Sequence, residues 1–77
     1  MFAIVIFSCA MIGGQGCPID RVEWPVADQS ASLCAPEVQA AALLTWSERN
    51  TDRRAVIAAC LPREQVPELI ARLMRPH

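Results

Sequence analysis

Four cysteines in a 77-residue chain are the feature that most constrains the fold. They are Cys9, Cys17, Cys34 and Cys60. A chain this short lies near the lower size at which one hydrophobic core suffices, so it usually needs a disulfide, a metal or a partner. The gaps between the cysteines are seven, sixteen and twenty-five residues, and none makes a C-x-x-C pair. The spacing therefore favours two structural disulfides over a zinc site or a redox pair, with four buried free thiols as the remaining alternative.

Composition limits the class of protein. Hydrophobic residues make up 53% of the chain and charged residues only 19%, which excludes a disordered chain and predicts a single domain over residues 1–77. A chain of this composition has more apolar surface than a domain of 77 residues easily buries, so we expect some of that surface to contact a partner. The formal net charge is -1. Without a basic excess, no nucleic-acid partner is predicted.

The first twelve residues are apolar except for Ser8. A secretory signal would carry a basic residue near its start, but no Lys or Arg precedes Arg21, and the run is shorter than the roughly 20 residues of a membrane span. Residues 2–7 are mostly β-branched or aromatic and glycines follow, which favours a buried strand. A signal or anchor over residues 1–16 stays open as the alternative.

The rest of the chain predicts two more strands. Residues 20–26 alternate with a period of two, which places Val22, Trp24 and Val26 on one face, and Pro25 indicates an edge strand. Residues 54–61 are apolar on both faces, as in a central strand, and their alanines keep a helix possible.

Two helices are predicted between and after these strands. The longer one begins at Leu33 or Pro36 and is closed by Asn50, with apolar residues at helical spacing on one side. A short amphipathic helix covers residues 67–74. The predicted fold is an α+β domain of order β-β-α-β-α, with a three-stranded, mainly antiparallel sheet packed by one long and one short helix.

This topology suggests which cysteines pair, although sequence alone allows three pairings. If the strands and the long helix alternate in direction, Cys9 and Cys17 lie at one end of the sheet. Cys34 and Cys60 then lie at the other end. We therefore expect disulfides Cys9–Cys17 and Cys34–Cys60.

No sequence motif of catalysis or cofactor binding occurs. The P-loop, the dinucleotide-binding fingerprint, the zinc-protease motif and the serine-hydrolase motif are all missing from the sequence. The carboxylates are scattered, as expected for a solvated surface, and the two tryptophans are expected to be core or interface anchors. The sequence predicts no enzyme, no cofactor, no metal and no small-molecule ligand.

The layout resembles short four-cysteine orphan proteins encoded in alphaproteobacterial and phage genomes. The resemblance covers about residues 1–60 and is carried by the apolar start ending in Cys9, by Cys17, by Ser32-Leu33-Cys34 and by the arginine-flanked strand ending in Cys60, with Trp46-Ser47-Glu48 between them. Proteins of this kind generally have no assigned activity, so the resemblance implies no functional residues.

These observations favour a non-enzymatic structural component of a larger assembly. The specific hypothesis is a disulfide-stabilised phage virion protein, either a capsid decoration or a tail accessory protein, because virion proteins can be oxidised after release without an export signal. Its partners would be other protein subunits, with no membrane. The alternative is an exported, periplasmic or secreted protein-binding module. The expected interface residues are Phe2, Ile4, Val5, Ile6, Phe7, Trp24, Ile70, Leu73 and Met74.

Overall fold

A computed structural model of the chain describes residues 1–11 and 17–74. Its elements are β1 (Phe2–Ala10), β2 (Arg21–Gln29), α1 (Pro36–Arg49), β3 (Arg53–Pro62) and α2 (Val66–Leu73), with short 3₁₀ turns at Ala31–Cys34 and Arg63–Gln65. This is the predicted β-β-α-β-α order, and the sheet is antiparallel throughout. The α+β class, the three-stranded sheet and the two helices are confirmed.

β1 is the central strand, because the order in the sheet is β2-β1-β3. Its residues from Ala3 to Cys9 are all buried, as the run of β-branched and aromatic side chains predicts. The prediction that the third strand is central is wrong, since β3 pairs only with β1. Its side chains are half-buried or exposed because they include several alanines at an edge of the sheet.

β2 is the other edge strand, in agreement with the position of Pro25. Its pairing with β1 shifts register twice, and the shift between Ile4 and Ile6 separates the pair Val26–Ile4 from the pair Val22–Phe7. Each shift inserts an extra residue into β2 and reverses the alternation of faces. Val22 and Val26 therefore contact opposite faces of the sheet, and the prediction that they share a face is wrong.

The two helices cover the two faces of β1. On one face, Ala3, Val5 and Phe7 pack with Val66 at the start of α2, and Leu69, Ile70 and Leu73 of the same helix complete this cluster. On the other face, Ile4 and Ile6 pack with Leu33 and with Trp46 of α1. The chain thus forms three layers, with the single sheet between the helices.

Both expected cysteine pairs are disulfides. Cys9 is joined to Cys17 and Cys34 to Cys60, with Cα–Cα distances of 5.5 and 5.4 Å, within the usual range. The first bond ties the end of β1 to the segment that enters β2. The second ties the 3₁₀ turn before α1 to β3.

Polar contacts close the ends of the sheet. The Arg53 guanidinium donates from Nε to the buried Ser8 hydroxyl at 3.1 Å and pairs with the Asp20 carboxylate. Asp28, whose φ of 61° lies in the left-handed region that aspartate tolerates, pairs with Arg63 at 2.6 Å. These contacts join all three strands and hold β2 despite its irregular pairing.

The helix ends follow the sequence signals. Pro36 begins α1, and the Asn50 side chain closes it by donating from Nδ2 to the Trp46 carbonyl at 2.8 Å. α2 begins at Val66, one residue before the predicted position. Neither helix in the described part of the chain has the length and the apolar character that crossing a membrane would require.

Candidate interaction surfaces

The structure divides the nine predicted interface residues into three groups. Ile4, Val5, Ile6 and Phe7 are completely or almost completely buried inside the chain. They leave no surface for another subunit, so the expectation that they contact a partner is corrected. The physical reason is that both faces of β1 are covered within the chain. The α1 side covers Ile4 and Ile6, and α2 together with apolar side chains of β2 and β3 covers the opposite face.

The other five residues keep some exposure, and their role at an interface stays a prediction. Phe2 is half-buried against the α1 face. Ile70 and Leu73 are half-buried and pack inward on the α2 face. Trp24 in β2 and Met74 directly after α2 are each 37% exposed. These five do not form one continuous patch of a single element.

The described residues form a groove between α1 and β2. Its volume is about 550 Å³, within the range of ligand and peptide pockets. β2 contributes Glu23, Pro25 and Val26 to its lining. The remaining lining residues come from the turn before α1 and from α1 itself: Leu33, Val38, Ala41, Ala42, Thr45, Trp46, Arg49 and Asn50. Most of this lining is apolar.

The groove exists because α1 presents small side chains to β2. Ala41, Ala42 and Thr45 cannot fill the space between the helix and the strand, whereas Trp46 reaches the core and anchors the helix. The bulges in β2 contribute too, since they turn Val26 toward this face. The result is a groove that has the packed Trp46 ring at its base and small side chains along its sides.

Trp46 carries an unusual feature for a core residue. The side chain is only 4% exposed, and its indole Nε1 has no hydrogen-bond partner among the described residues. A buried N–H without an acceptor costs about 1–3 kcal/mol. This cost arises at the residue that lines the groove and also holds α1 on the sheet.

Two charged groups flank the apolar lining. Arg49 is exposed and makes no ion pair within residues 1–11 and 17–74. Glu23 is paired with Arg21 at 3.4 Å across exposed surface. The groove therefore offers one unpaired cation beside an apolar trough, an arrangement suited to a segment that is apolar with a carboxylate nearby.

A second, smaller depression lies beside α2. Its volume is about 300 Å³ and its lining is mostly polar: Leu61, Gln65, Glu68, Leu69 and Arg72. Arg72 and Glu68 pair with each other along the exposed surface of α2 at 3.2 Å. Because its charged groups are already matched, this depression offers less to a partner than the groove does.

The edge of β3 is a further exposed feature. Residues 55–62 make no backbone hydrogen bond outside the ladder with β1 in the part of the chain that the structure describes. Val56, at the register shift opposite Phe7 and Ser8, is 45% exposed. The edge thus presents backbone donors and acceptors of the kind that another strand can pair with.

The described residues contain no group of three or more His, Cys, Asp or Glu side chains placed to hold a metal ion. All four cysteines are consumed by the two disulfides.

Sequence reasoning missed the groove, although one signal for it was present. The apolar side of the predicted helix includes Val38, Ala41, Ala42, Thr45 and Trp46, and all five line the groove. Their positions on one face were predicted, but the small volume of the middle three was not read as a gap. The contribution of β2 could not be seen, because it depends on the bulges.

Comparisons with known proteins found no match to this chain among family models, curated proteins or solved structures.

Proposed function

We propose that this protein is a non-enzymatic component of a larger assembly that binds another protein subunit through the groove between α1 and β2. The observation that carries the proposal is the groove itself, an apolar trough on a domain whose remaining large apolar side chains are mostly packed inside. In its most specific form, the proposal is a disulfide-stabilised phage virion protein, such as a capsid decoration or tail accessory protein.

The character of the groove supports a protein partner. Apolar lining with an unpaired arginine at one side fits a short apolar segment that carries an acidic residue. Small wall residues such as Ala41 let the bound segment approach α1 closely.

The two disulfides support a role that demands rigidity outside a reducing environment. They favour either a virion that is oxidised after release or, as the second candidate, an exported protein-binding module of the periplasm or medium. Because β1 forms the centre of the sheet, an exported form with this fold would have to keep residues 2–10.

A matched pair of substitutions tests the groove. Ala41 and Ala40 are adjacent, exposed residues of α1, and only Ala41 lines the groove. Ala41→Glu should strongly reduce the fraction of the protein that co-sediments with its native assembly, whereas Ala40→Glu should leave that fraction unchanged. Equal incorporation of both variants, or a wild-type protein found only as a free small species in its native source, would contradict the proposal.

A further inference from the structure

The two halves of α1 are held to the rest of the protein by different means. The C-terminal half contains Trp46, which is buried against the sheet, and the Asn50 side chain closes the last turn. The N-terminal half, residues 36–42, contains no buried side chain. It follows Ala35, which has no side chain able to accept from the free backbone N–H groups of the first turn. Few contacts of its own therefore hold this half in place.

The Cys34–Cys60 disulfide attaches this weakly held half to the sheet. Cys34 ends the 3₁₀ turn directly before α1, and its bond joins that turn to β3. Cys60 packs against the core cluster on the α1 side of the sheet. Val38, Ala41 and Ala42 of the attached half line the groove. The bond thus fixes the start of the helix that forms one side of the groove.

The two disulfides differ in how readily a thiol can cleave them. Cys34 and Cys60 are both half-buried, so a thiolate released from either one can reach water. Cys9 is fully buried, and attack on its half-buried partner Cys17 would leave the Cys9 thiolate in the interior. A charge in an apolar interior is unfavourable, and exchange is slower when the leaving thiolate is less stable. The bond that holds α1 is therefore the more reducible of the two.

We propose that a low-molecular-weight thiol, such as reduced glutathione, cleaves the Cys34–Cys60 disulfide first and thereby releases the N-terminal half of α1 from the sheet. One side of the groove is then lost, because residues of that half form it. The consequence for binding rests on the proposed function of the groove: the oxidised chain holds the partner subunit tightly, and the reduced chain does not.

The reaction is a thiol–disulfide exchange in two steps. A thiolate attacks the sulfur of Cys34 or Cys60, forms a mixed disulfide and releases the other cysteine as a thiolate, which takes up a proton. A second thiolate attacks the mixed disulfide, releases the remaining cysteine and leaves as the small-molecule disulfide. Two electrons pass from two thiols to the protein, and the small-molecule disulfide reverses both steps.

Timed reduction of the full, oxidised chain tests the selectivity. The probe is reduced glutathione at graded concentrations, followed by alkylation of free thiols and peptide mapping by mass spectrometry. Cys34 and Cys60 should become alkylated at a rate about tenfold or more above that of Cys9 and Cys17. Equal rates, or earlier alkylation of Cys9 and Cys17, would overturn the proposal.

Amide hydrogen exchange of the selectively reduced chain tests the release of α1. The protection of residues 38–42 should fall about tenfold or more, to nearly that of an unstructured peptide, while β1 stays among the slowest segments. Cys34→Ser/Cys60→Ser should reproduce this pattern without a thiol. Cys9→Ser/Cys17→Ser, which also removes a disulfide, is the matched control and should leave residues 38–42 protected. Protection of residues 38–42 that survives reduction of the wild type, or its loss together with that of β1, would overturn the proposal.

The exchange measurement needs no partner, so it tests the release of α1 apart from the proposed function. Co-sedimentation with the native assembly tests the consequence for binding. Cys34→Ser/Cys60→Ser should be incorporated about tenfold less than the matched control. Equal incorporation of the two variants would overturn the control of binding by the disulfide. A wild-type chain that is itself never incorporated would instead reject the proposed function, and the exchange result would stand.

Discussion

Two helices of very different length cover the two faces of the sheet, and the shorter helix leaves less of its face open than the longer one does. α2 has eight residues, and Val66, Leu69, Ile70 and Leu73 all pack against β1 and its neighbours. α1 has fourteen residues, but its contribution to the core cluster on its side is Trp46, Leu43 and Ala42, and a groove of about 550 Å³ remains beside it. Coverage thus depends on where large apolar side chains lie along a helix and not on its length.

The same difference predicts which substitutions should change folding stability and which should change binding. The α2 face is closed by large side chains, so substitutions there should act on folding. The α1 face is held at a few points, chiefly Trp46, Leu33 and the Cys34–Cys60 disulfide, and is open between α1 and β2. Substitutions in the open part should act on assembly and leave the fold intact.

Removing α2 should have the largest effect of the changes considered. A chain that ends at Pro62 would expose Ala3, Val5 and Phe7 to water, together with half of the sheet's apolar surface. Burial of each large side chain contributes roughly 1.5–3 kcal/mol, so the loss approaches the whole stability of a small domain. Circular dichroism should show no cooperative thermal transition for this truncation. A transition like that of the full chain would show that α2 is not part of the core.

Trp46→Ala should cause the next largest loss of stability. Comparison with Val38→Ala should distinguish the side chain that holds α1 on the sheet from a side chain that lines the groove. Loss of a buried tryptophan typically costs 3–5 kcal/mol, slightly offset here because the buried unpartnered N–H is also removed. Val38→Ala, at a groove position that is 36% exposed, should cost under about 1 kcal/mol. Urea unfolding of both variants checks this ranking. Comparable losses would mean that the groove side of α1 is packed as tightly as its anchor.

The two disulfides should differ in their effect on stability, because the entropy removed from the unfolded chain rises with the logarithm of the length of the loop that each one closes. Cys34–Cys60 spans 26 positions and Cys9–Cys17 only 8. Chain entropy gives about 3.5 kcal/mol for the longer loop and about 2.5 for the shorter one. Paired alanine variants, compared by urea unfolding, should show the larger loss for Cys34/Cys60. Non-reducing peptide mapping of the wild type should recover both pairs, and free thiols in oxidised native material would contradict the pairing.

The smallest expected effect on stability is that of Ala41→Glu and Ala40→Glu. Both sites are exposed on α1, and glutamate forms helices nearly as well as alanine, so each variant should lie within about 0.5 kcal/mol of the wild type. Thermal unfolding measures this directly. A large loss for Ala41→Glu alone would mean that the groove closes in solution, and its effect on assembly would then report folding and not binding.

The fold was largely predictable because its signals are local. The apolar run of residues 2–7, Pro36 at the start of α1, Asn50 at its end and Pro25 in β2 each act on their own element. The disulfide pairing followed once strand directions were known. The central position of β1 was not predicted, because the alanines of β3 read as a buried strand when only their polarity is considered.

The surface was much harder to predict because it depends on long-range geometry. The faces of Val22 and Val26 are set by the one bulge that lies between them, which no local pattern in β2 predicts. The groove arises from the volume missing between two elements that are distant in sequence. The burial of Val5 and Phe7 depends on the packing of α2 against β1. A predicted helix of only eight residues gave little indication that it would cover this face of the strand.

Amide hydrogen exchange of β1 tests the central claim most directly, namely that this strand belongs to the core of the single chain and is not the surface that binds a partner. In the free protein, the amides of residues 3–9 should exchange only through global unfolding and be among the slowest in the molecule. Assembly should leave those rates unchanged and slow exchange instead in α1 and β2 along the groove. Rapid exchange of β1 in the free chain, with protection gained only on assembly, would contradict the account.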